Sequence, residues 1–240
     1  PGKGRCYDVF RYLRTCNPSP FGAYMNYGEF QVICASPERF LKIQDGTAVT
    51  RPIKGTRRRG ETEEEDAMLR RQLTESEKDR SELLMIVDLE RNDLNRVCTP
   101  GSVRVPEHCV PEEYATVFHL VSTVTGKLED HMSVDRLIKA MFPGGSVTGA
   151  PKIRAMEIID RLERSRRGLY TGSIGYFSLN GDCDFNIVIR TAVYKDGRYH
   201  LGVGGGITWE SDPEFEYEET MQKAKAVLEA IAAGERRQES

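Results

Sequence analysis

The sequence has no run of about 18 consecutive apolar residues, the length a membrane-crossing helix needs, so no transmembrane helix is expected. Its first ten residues, PGKGRCYDVF, lack the apolar core of a secretory signal. Neither sign of charge is in excess: 34 Lys and Arg stand against 37 Asp and Glu, for a net charge of -3. Without a basic surplus, nucleic acid is not an expected partner. Cys-x-x-Cys pairs are absent as well. The six cysteines, Cys6, Cys16, Cys34, Cys98, Cys109 and Cys183, are scattered, whereas structural zinc ligands come as close pairs. They are also too sparse for a disulfide framework, and reduced thiols in a cytoplasmic protein are expected. No internal repeat or low-complexity linker is found.

What is there is ordinary for a soluble globular chain: 39% hydrophobic and 30% charged residues, over a length of 240 that can bury one large core or two small ones. Strands are expected at Gly22 to Tyr27, Phe30 to Ala35 and Ala48 to Thr50, then at the β-branched, aromatic run Thr116 to Thr125. Later strands are expected at Gly172 to Leu179, Phe185 to Tyr194 and Tyr199 to Val203, with hairpin turns at Asn180-Gly181 and Asp196-Gly197. Helices are expected at Glu63 to Val97 with breaks, Val134 to Met141, Lys152 to Leu162 entered through Pro151, and Pro213 to Ala232. The charged stretch Arg57 to Arg80 mixes both signs and suggests a solvated loop leading into a helix; ERRQES at the end suggests a frayed tail. Strands and helices fall into separate runs, which points to an α+β fold.

Two acidic helix faces carry potential chemistry. Asp79 and Glu82 are three apart; Glu216, Glu219 and Lys223 are three and four apart, so each set shares a face. Such carboxylates are either surface charges or oxygen ligands for a hard cation such as magnesium, which takes one or two of them and keeps several waters. Two glycine clusters, Leu201 to Ile207 and Gly144 to Lys152, match neither a dinucleotide fingerprint nor a phosphate-binding loop. They are tight turns or anion cradles. His119 lies in an apolar strand and is by itself a core histidine. Arg190 ends an alternating strand from Asp184, opposite Phe185, Ile187 and Ile189. An arginine there meets an acidic side chain or grips a carboxylate ligand. Lys54 is a solvated loop residue or, if desolvated near other cations, a nucleophile. The residues alone thus give an α+β protein for an anionic small molecule, unnamed.

Five strings go further: Ser36-Pro-Glu-Arg39, Arg51-Pro-Ile-Lys-Gly-Thr56, Asp88-Leu-Glu-Arg-Asn-Asp93, Gly149-Ala-Pro-Lys152 and Gly204-Gly-Gly-Ile207. As an ordered set, from about Phe10 to Ala232, they resemble the chorismate-utilising enzymes, which include anthranilate, aminodeoxychorismate, isochorismate and salicylate synthases. The resemblance implies a fold of two packed antiparallel sheets wrapped by helices, with one chorismate-binding catalytic domain over residues 1–240. That domain would be partial, with a further N-terminal helix and strand absent.

The resemblance also implies roles. Glu82 and Glu219 match magnesium ligands, with Glu216 and then Asp79 close behind. Arg190 and Tyr170 match the grip on the enolpyruvyl carboxylate. Gly204, Gly205 and Gly206 match backbone donors, and Ser146 and Lys223 match further anion contacts. His119 matches the histidine beside the ring, and Glu38 the acid that protonates the departing C4 hydroxyl. Within the family, Lys54 in Pro52-Ile-Lys-Gly-Thr56, Gly144-Gly-Ser-Val-Thr-Gly149 and Asp184-Phe-Asn-Ile187 are most similar to aminodeoxychorismate synthases. This implies magnesium-dependent amination of chorismate towards 4-aminobenzoate and folate through a Lys54 adduct. Ammonia would come from a separate glutamine amidotransferase subunit. The rivals are an anthranilate synthase with an unusual lysine, a non-catalytic chorismate-binding subunit, and an unrelated phosphate-binding module.

Overall fold

The computed structural model describes residues 3–115, 117–209 and 211–236. The chain divides into two compact units, one of Pro1–Glu38, Arg167–Ser173 and Asn186–Ser240, the other of Arg39–Arg166 and Ile174–Phe185.

The first unit begins with α1 (Lys3–Cys16) and the strands β1 (Phe21–Asn26) and β2 (Phe30–Ser36). It resumes with β10 (Thr191–Lys195), β11 (Arg198–Leu201) and α6 (Pro213–Arg236). Its antiparallel sheet runs in the order β1-β2-β10-β11. The turn from β10 to β11 is the expected Asp196-Gly197, with Lys195 paired to Arg198. Helix α1 was not foreseen, although Cys6, Val9 and Leu13 recur at helical spacing. All three are buried in one core with Ile33, Ala35 and Ala192 of the sheet and Val227 and Ala230 of α6. Burying one such aliphatic side chain contributes about 1.5–3 kcal/mol. The apolar cluster therefore fixes α1 and α6 on the sheet.

The second unit carries β3 (Arg39–Gln44), β4 (Thr47–Arg51), β5 (Ile53–Arg58), β6 (Arg104–Glu113), β7 (Val117–Lys127), β8 (Gly175–Phe177) and β9 (Cys183–Asn186). They form a sheet in the order β5-β7-β4-β3-β9-β8, with β6 on the other side of β7. The expected start of β7 at Thr116 lies outside the described residues, as do the last four residues of the expected tail. The helices are α2 (Glu63–Glu75), α3 (Glu77–Asn95), α4 (Val134–Met141) and α5 (Lys152–Leu162). The long helix expected over Glu63 to Val97 does break, at Ser76. Its hydroxyl accepts from the Asp79 N–H at 3.2 Å and caps α3, while its own N–H closes α2 on Leu73. Helix α3 buries Leu83, Ile86, Val87 and Leu94 and packs on β7, whose Phe118, Leu120, Val121 and Val124 are all buried.

Three expectations need correction. The strand expected over Phe185 to Tyr194 is two strands, because the backbone at 187–190 bonds elsewhere. Ile187 N–H donates to Glu38 O at 3.0 Å, and Val188 N–H to Gly172 O at 2.9 Å. The strand expected over Gly172 to Leu179 shrinks to β8 for the same reason, since Gly172 and Thr171 are spent on Val188. The Arg57 to Arg80 stretch is not a solvated loop at its start. Arg57 and Arg58 end β5, and Arg57, Arg58 and Arg59 pair with Asp79, Glu65 and Asp66. Among the described residues no helix is long and apolar enough to cross a membrane, and all six cysteines are free thiols.

Candidate active site

In the first unit, Arg190 does not end a strand as the alternating pattern suggested. It takes φ +48° in the turn before β10, and its carbonyl accepts from Ala35 N–H at 3.1 Å. A left-handed arginine is uncommon and has to be held by its surroundings. Burial pushes the guanidinium below its ordinary value, and the Glu38 carboxylate beside it opposes that. Glu38 is only 6% exposed. Its N–H donates to Ser36 Oγ at 3.3 Å, and Ser36 Oγ donates to Ile187 O at 2.6 Å. The Ser36-Pro-Glu-Arg39 string is thus a clamp that sets Glu38 and the Arg190 turn together. Ser36 had no assigned role, though it opens that string.

A second cluster of this unit gathers most of the remaining expected residues. After β11 the chain runs unpaired through the glycines, and these positions are filled by neighbours. A Cβ at Gly204 would stand 3.0 Å from Tyr170 Oη; one at Gly205 would stand 2.9 Å from Glu216 Oε2 and 3.8 Å from Lys223 Nζ. Only glycine at 205 lets backbone approach the α6 face so closely. Lys223 Nζ in turn donates to Gly204 O at 3.3 Å and lies 2.6 Å from Glu219 Oε1. Glu216 is buried, and its Oε1 accepts from Ser211 Oγ at 2.7 Å. Gly204, Gly205, Tyr170, Glu216, Glu219 and Lys223 therefore form one constellation. Gly206 is exposed.

In the second unit the Pro52-Ile-Lys-Gly-Thr56 string builds a β-bulge. Lys54 faces Leu120 and Thr56 faces His119, with a register shift between them and Gly55 at φ +73°. A Cβ at Gly55 would also stand 2.8 Å from Asp79 Cγ and from Leu73 Cδ1. Lys54 is 19% exposed, and its Nζ is 3.9 Å from Glu82 Oε2. Its ionic neighbour is thus a carboxylate, not the cations that activation of a nucleophilic lysine calls for. Asp79 and Glu82 do share a face of α3, but it is not a surface: each side chain is 15% exposed. Asp79 accepts from Arg57 at 3.0 Å, which ties β5 to α3. His119 is 4% exposed, with Nδ1 2.9 Å from Thr56 Oγ1 and its ring 5.3 Å from that of Tyr114. Thr56 fixes the ring, a task its place in the string did not reveal.

Two further strings prove to be one device. Lys152, opening α5, places Nζ 2.5 Å from Asp93 Oδ2, 2.7 Å from Pro143 O and 3.2 Å from Met141 O. Asp93, near the end of α3, is 3% exposed. Burial pushes its carboxyl up, with Lys152 pulling against that. The ammonium therefore anchors the turn that leads into Gly144 and Ser146. Ser146 Oγ is buried with no hydrogen-bond partner among the described residues. An orphaned hydroxyl costs about 1–3 kcal/mol unless a ligand completes it.

Magnesium asks for hard oxygen donors, one or two of them carboxylates, with water filling the rest. By that chemistry Glu82 in the second unit and Glu216 and Glu219 in the first each suit it. Lys54 and Lys78 stand 3.9 and 4.0 Å from the Glu82 carboxylate oxygens, within ion-pair distance. Among the described residues no three or more His, Cys, Asp or Glu side chains form a ready-made cage.

The profile of the chorismate binding enzyme family matches residues 1–229. The chain is similar to anthranilate synthase component 1 of Aquifex aeolicus, 48% identical over 99% of this chain and 48% of that protein. It is similar to aminodeoxychorismate synthase component 1 of Bacillus subtilis, 49% identical over 95% and 49%. The crystal structure of anthranilate synthase component I from Streptococcus pneumoniae TIGR4 matches it with a TM-score of 0.83 and 40% identity, over 92% of this chain and 49% of that one. The chain spans about half the length of the curated relatives it matches. With two antiparallel sheets, an α+β architecture and this match over nearly all its length, the chain belongs to the chorismate binding enzyme family.

Proposed function

We propose that the chain is the chorismate-handling core of an aminodeoxychorismate synthase, which exchanges the C4 hydroxyl of chorismate for an amine. Relatives named anthranilate synthase and aminodeoxychorismate synthase match at 48% and 49% identity, so overall likeness favours neither. The observation that carries the choice is Lys54. It is largely buried, set by the Gly55 bulge, and adjoins Glu82, and it stands in the string whose lysine resembles that of aminodeoxychorismate synthases.

The chemistry follows from the side chains. Arg190 and Tyr170 hold the enolpyruvyl carboxylate, with Ser146, Lys223 and the glycine backbone at the ligand's other polar groups. Glu82, Glu216 and Glu219 are the carboxylates that would hold magnesium, which when bound would supply positive charge for a carboxylate of the substrate. Once its ammonium proton has left, Nζ of Lys54 bonds through its lone pair to ring C2. The double bonds shift, the C4–O bond breaks, and the hydroxyl leaves as water on a proton from Glu38. Ammonia then bonds to C4, the double bonds shift back, and the C2–N bond to Lys54 breaks. His119, fixed by Thr56, lies beside the ring. No oxidant or reductant is needed. Ammonia comes from a separate glutamine amidotransferase, in keeping with the name component 1 borne by relatives.

Calorimetric titration with chorismate tests the reading at its base. Saturable binding that weakens about tenfold or more when magnesium is withdrawn is expected. Indifference to chorismate together with binding of a nucleotide would instead support a phosphate-binding module.

A further inference from the structure

Ser211, just before α6, had no role in the sequence and none in the chemistry above. Its hydroxyl nevertheless holds a fixed position between two partners. Oγ accepts from the backbone N–H of Thr208 at 3.0 Å, while Ser211 N–H closes the same turn on Thr208 O at 3.2 Å. Because a backbone N–H only donates, the single hydroxyl proton of Ser211 is left for its other neighbour, Glu216 Oε1 at 2.7 Å. The carboxylate is thereby oriented from both ends. Oε1 is held by Ser211, and Oε2 lies against the Gly205 backbone, 2.9 Å from where a Cβ would be. The helix start adds rigidity: Asp212 Oδ1 accepts from Phe215 N–H at 2.9 Å, and Asp212 O from Glu216 N–H at 3.0 Å. Beside this pair lies a cavity of about 360 Å³ lined by Ile207, Ser211, Pro213, Glu216, Tyr217 and Thr220.

We infer that Ser211 is a positioning residue for a divalent cation: it fixes the orientation in which Glu216 presents its carboxylate oxygens as a metal ligand. This rests on the assignment of Glu216 to magnesium. Outer partners of metal-bound carboxylates fix ligand geometry, and removing one typically costs 10–100-fold in metal affinity. Deleting the hydroxyl also removes one of the contacts that orient the buried carboxylate, so the metal must bear part of the ordering that the protein now supplies.

The test is Mn²⁺ binding to the chain, followed by the electron paramagnetic resonance signal of free Mn²⁺ and by competition with Mg²⁺, without substrate. Ser211→Ala is expected to weaken Mn²⁺ binding roughly 10–100-fold with an unchanged melting temperature, and Ser211→Thr to restore most of it. Glu216→Gln sets the level of full loss at this carboxylate. If Ser211→Ala binds like the wild type while Glu216→Gln does not, the positioning role is overturned and the metal assignment stands. If Ser211→Thr binds as poorly as Ser211→Ala, the hydroxyl is not the active element and the inference is likewise overturned. If Glu216→Gln binds Mn²⁺ like the wild type, or the wild type binds none, the assignment of Glu216 to the metal falls and takes the inference with it.

Discussion

Lys54→Ala is expected to lose C4 amination of chorismate by roughly a thousandfold or more, with the Michaelis constant for chorismate nearly unchanged. Removal of a covalent nucleophile acts on the chemical step and leaves substrate binding to other groups. The steady-state rate of aminated product, with ammonium as the nitrogen source, measures it. The Gly55 bulge holds Lys54 in place, and its loss removes only a partly exposed ion pair with Glu82 at 3.9 Å, so the fold should be little affected. Glu38→Gln separates the roles: loss of an acid alone costs about 10²–10⁴-fold. Lys54→Ala with an unimpaired rate would refute the covalent route. If it instead leaves unimpaired formation of anthranilate, with ammonia adding at C2 and pyruvate expelled, the chain is an anthranilate synthase carrying an idle lysine.

Lys152→Met should produce the largest loss of stability. The change leaves Asp93 buried, at 3% exposure, without its cation, and leaves the Met141 and Pro143 carbonyls without their donor. Breaking a buried pair from one side costs about 3–5 kcal/mol. For a chain of this size that corresponds to a fall in melting temperature of roughly 6–20 °C. Asp93→Asn should cost nearly as much, and the double variant clearly less than the sum, because both changes break one interaction. A melting temperature within a degree of wild type for Lys152→Met would show that the pair does not hold the turn. In a variant that still folds, the turn before Ser146 is loosened, and weaker chorismate binding should accompany the lower melting temperature.

The local pattern of the sequence was enough for elements whose signals agree. Helices α4 and α5 have the expected limits, and β1 and β2 fall within a residue of theirs. It was not enough where side chains redirect the backbone. The run Asp184 to Arg190 alternates as one strand does, yet Ser36 and Glu38, some 150 residues earlier, bond to Ile187, and Arg190 takes a left-handed turn. Strand β6 was hidden by Pro106 and Pro111, which suggest irregular chain. Its pairing with β7 passes Pro106 in a register shift, while Pro111 keeps register opposite Leu120. Strand β5 was hidden by Gly55, which weakens a strand by propensity and here makes the bulge that sets Lys54.

The candidate site divides in the same way. Spacing along α3 and α6 was enough to place Asp79 with Glu82, and Glu216 with Glu219 and Lys223, because helical geometry is local. Family resemblance supplied Glu38, His119, Tyr170 and Ser146. Neither gave Ser211, Thr56 or the Lys152–Asp93 anchor their tasks, since those depend on contacts between segments distant in sequence or across a turn. The glycine clusters suggest tight turns or anion cradles. The structure adds that Gly205 is where backbone and the Glu216 carboxylate nearly touch.

Product identification by chromatography and mass spectrometry, after incubation with chorismate, magnesium and ammonium at mildly alkaline pH, tests the central claim most directly. An aminated chorismate that keeps its enolpyruvyl group, and yields 4-aminobenzoate when a lyase is added, is the predicted product. Fluorescent anthranilate with release of pyruvate would contradict it.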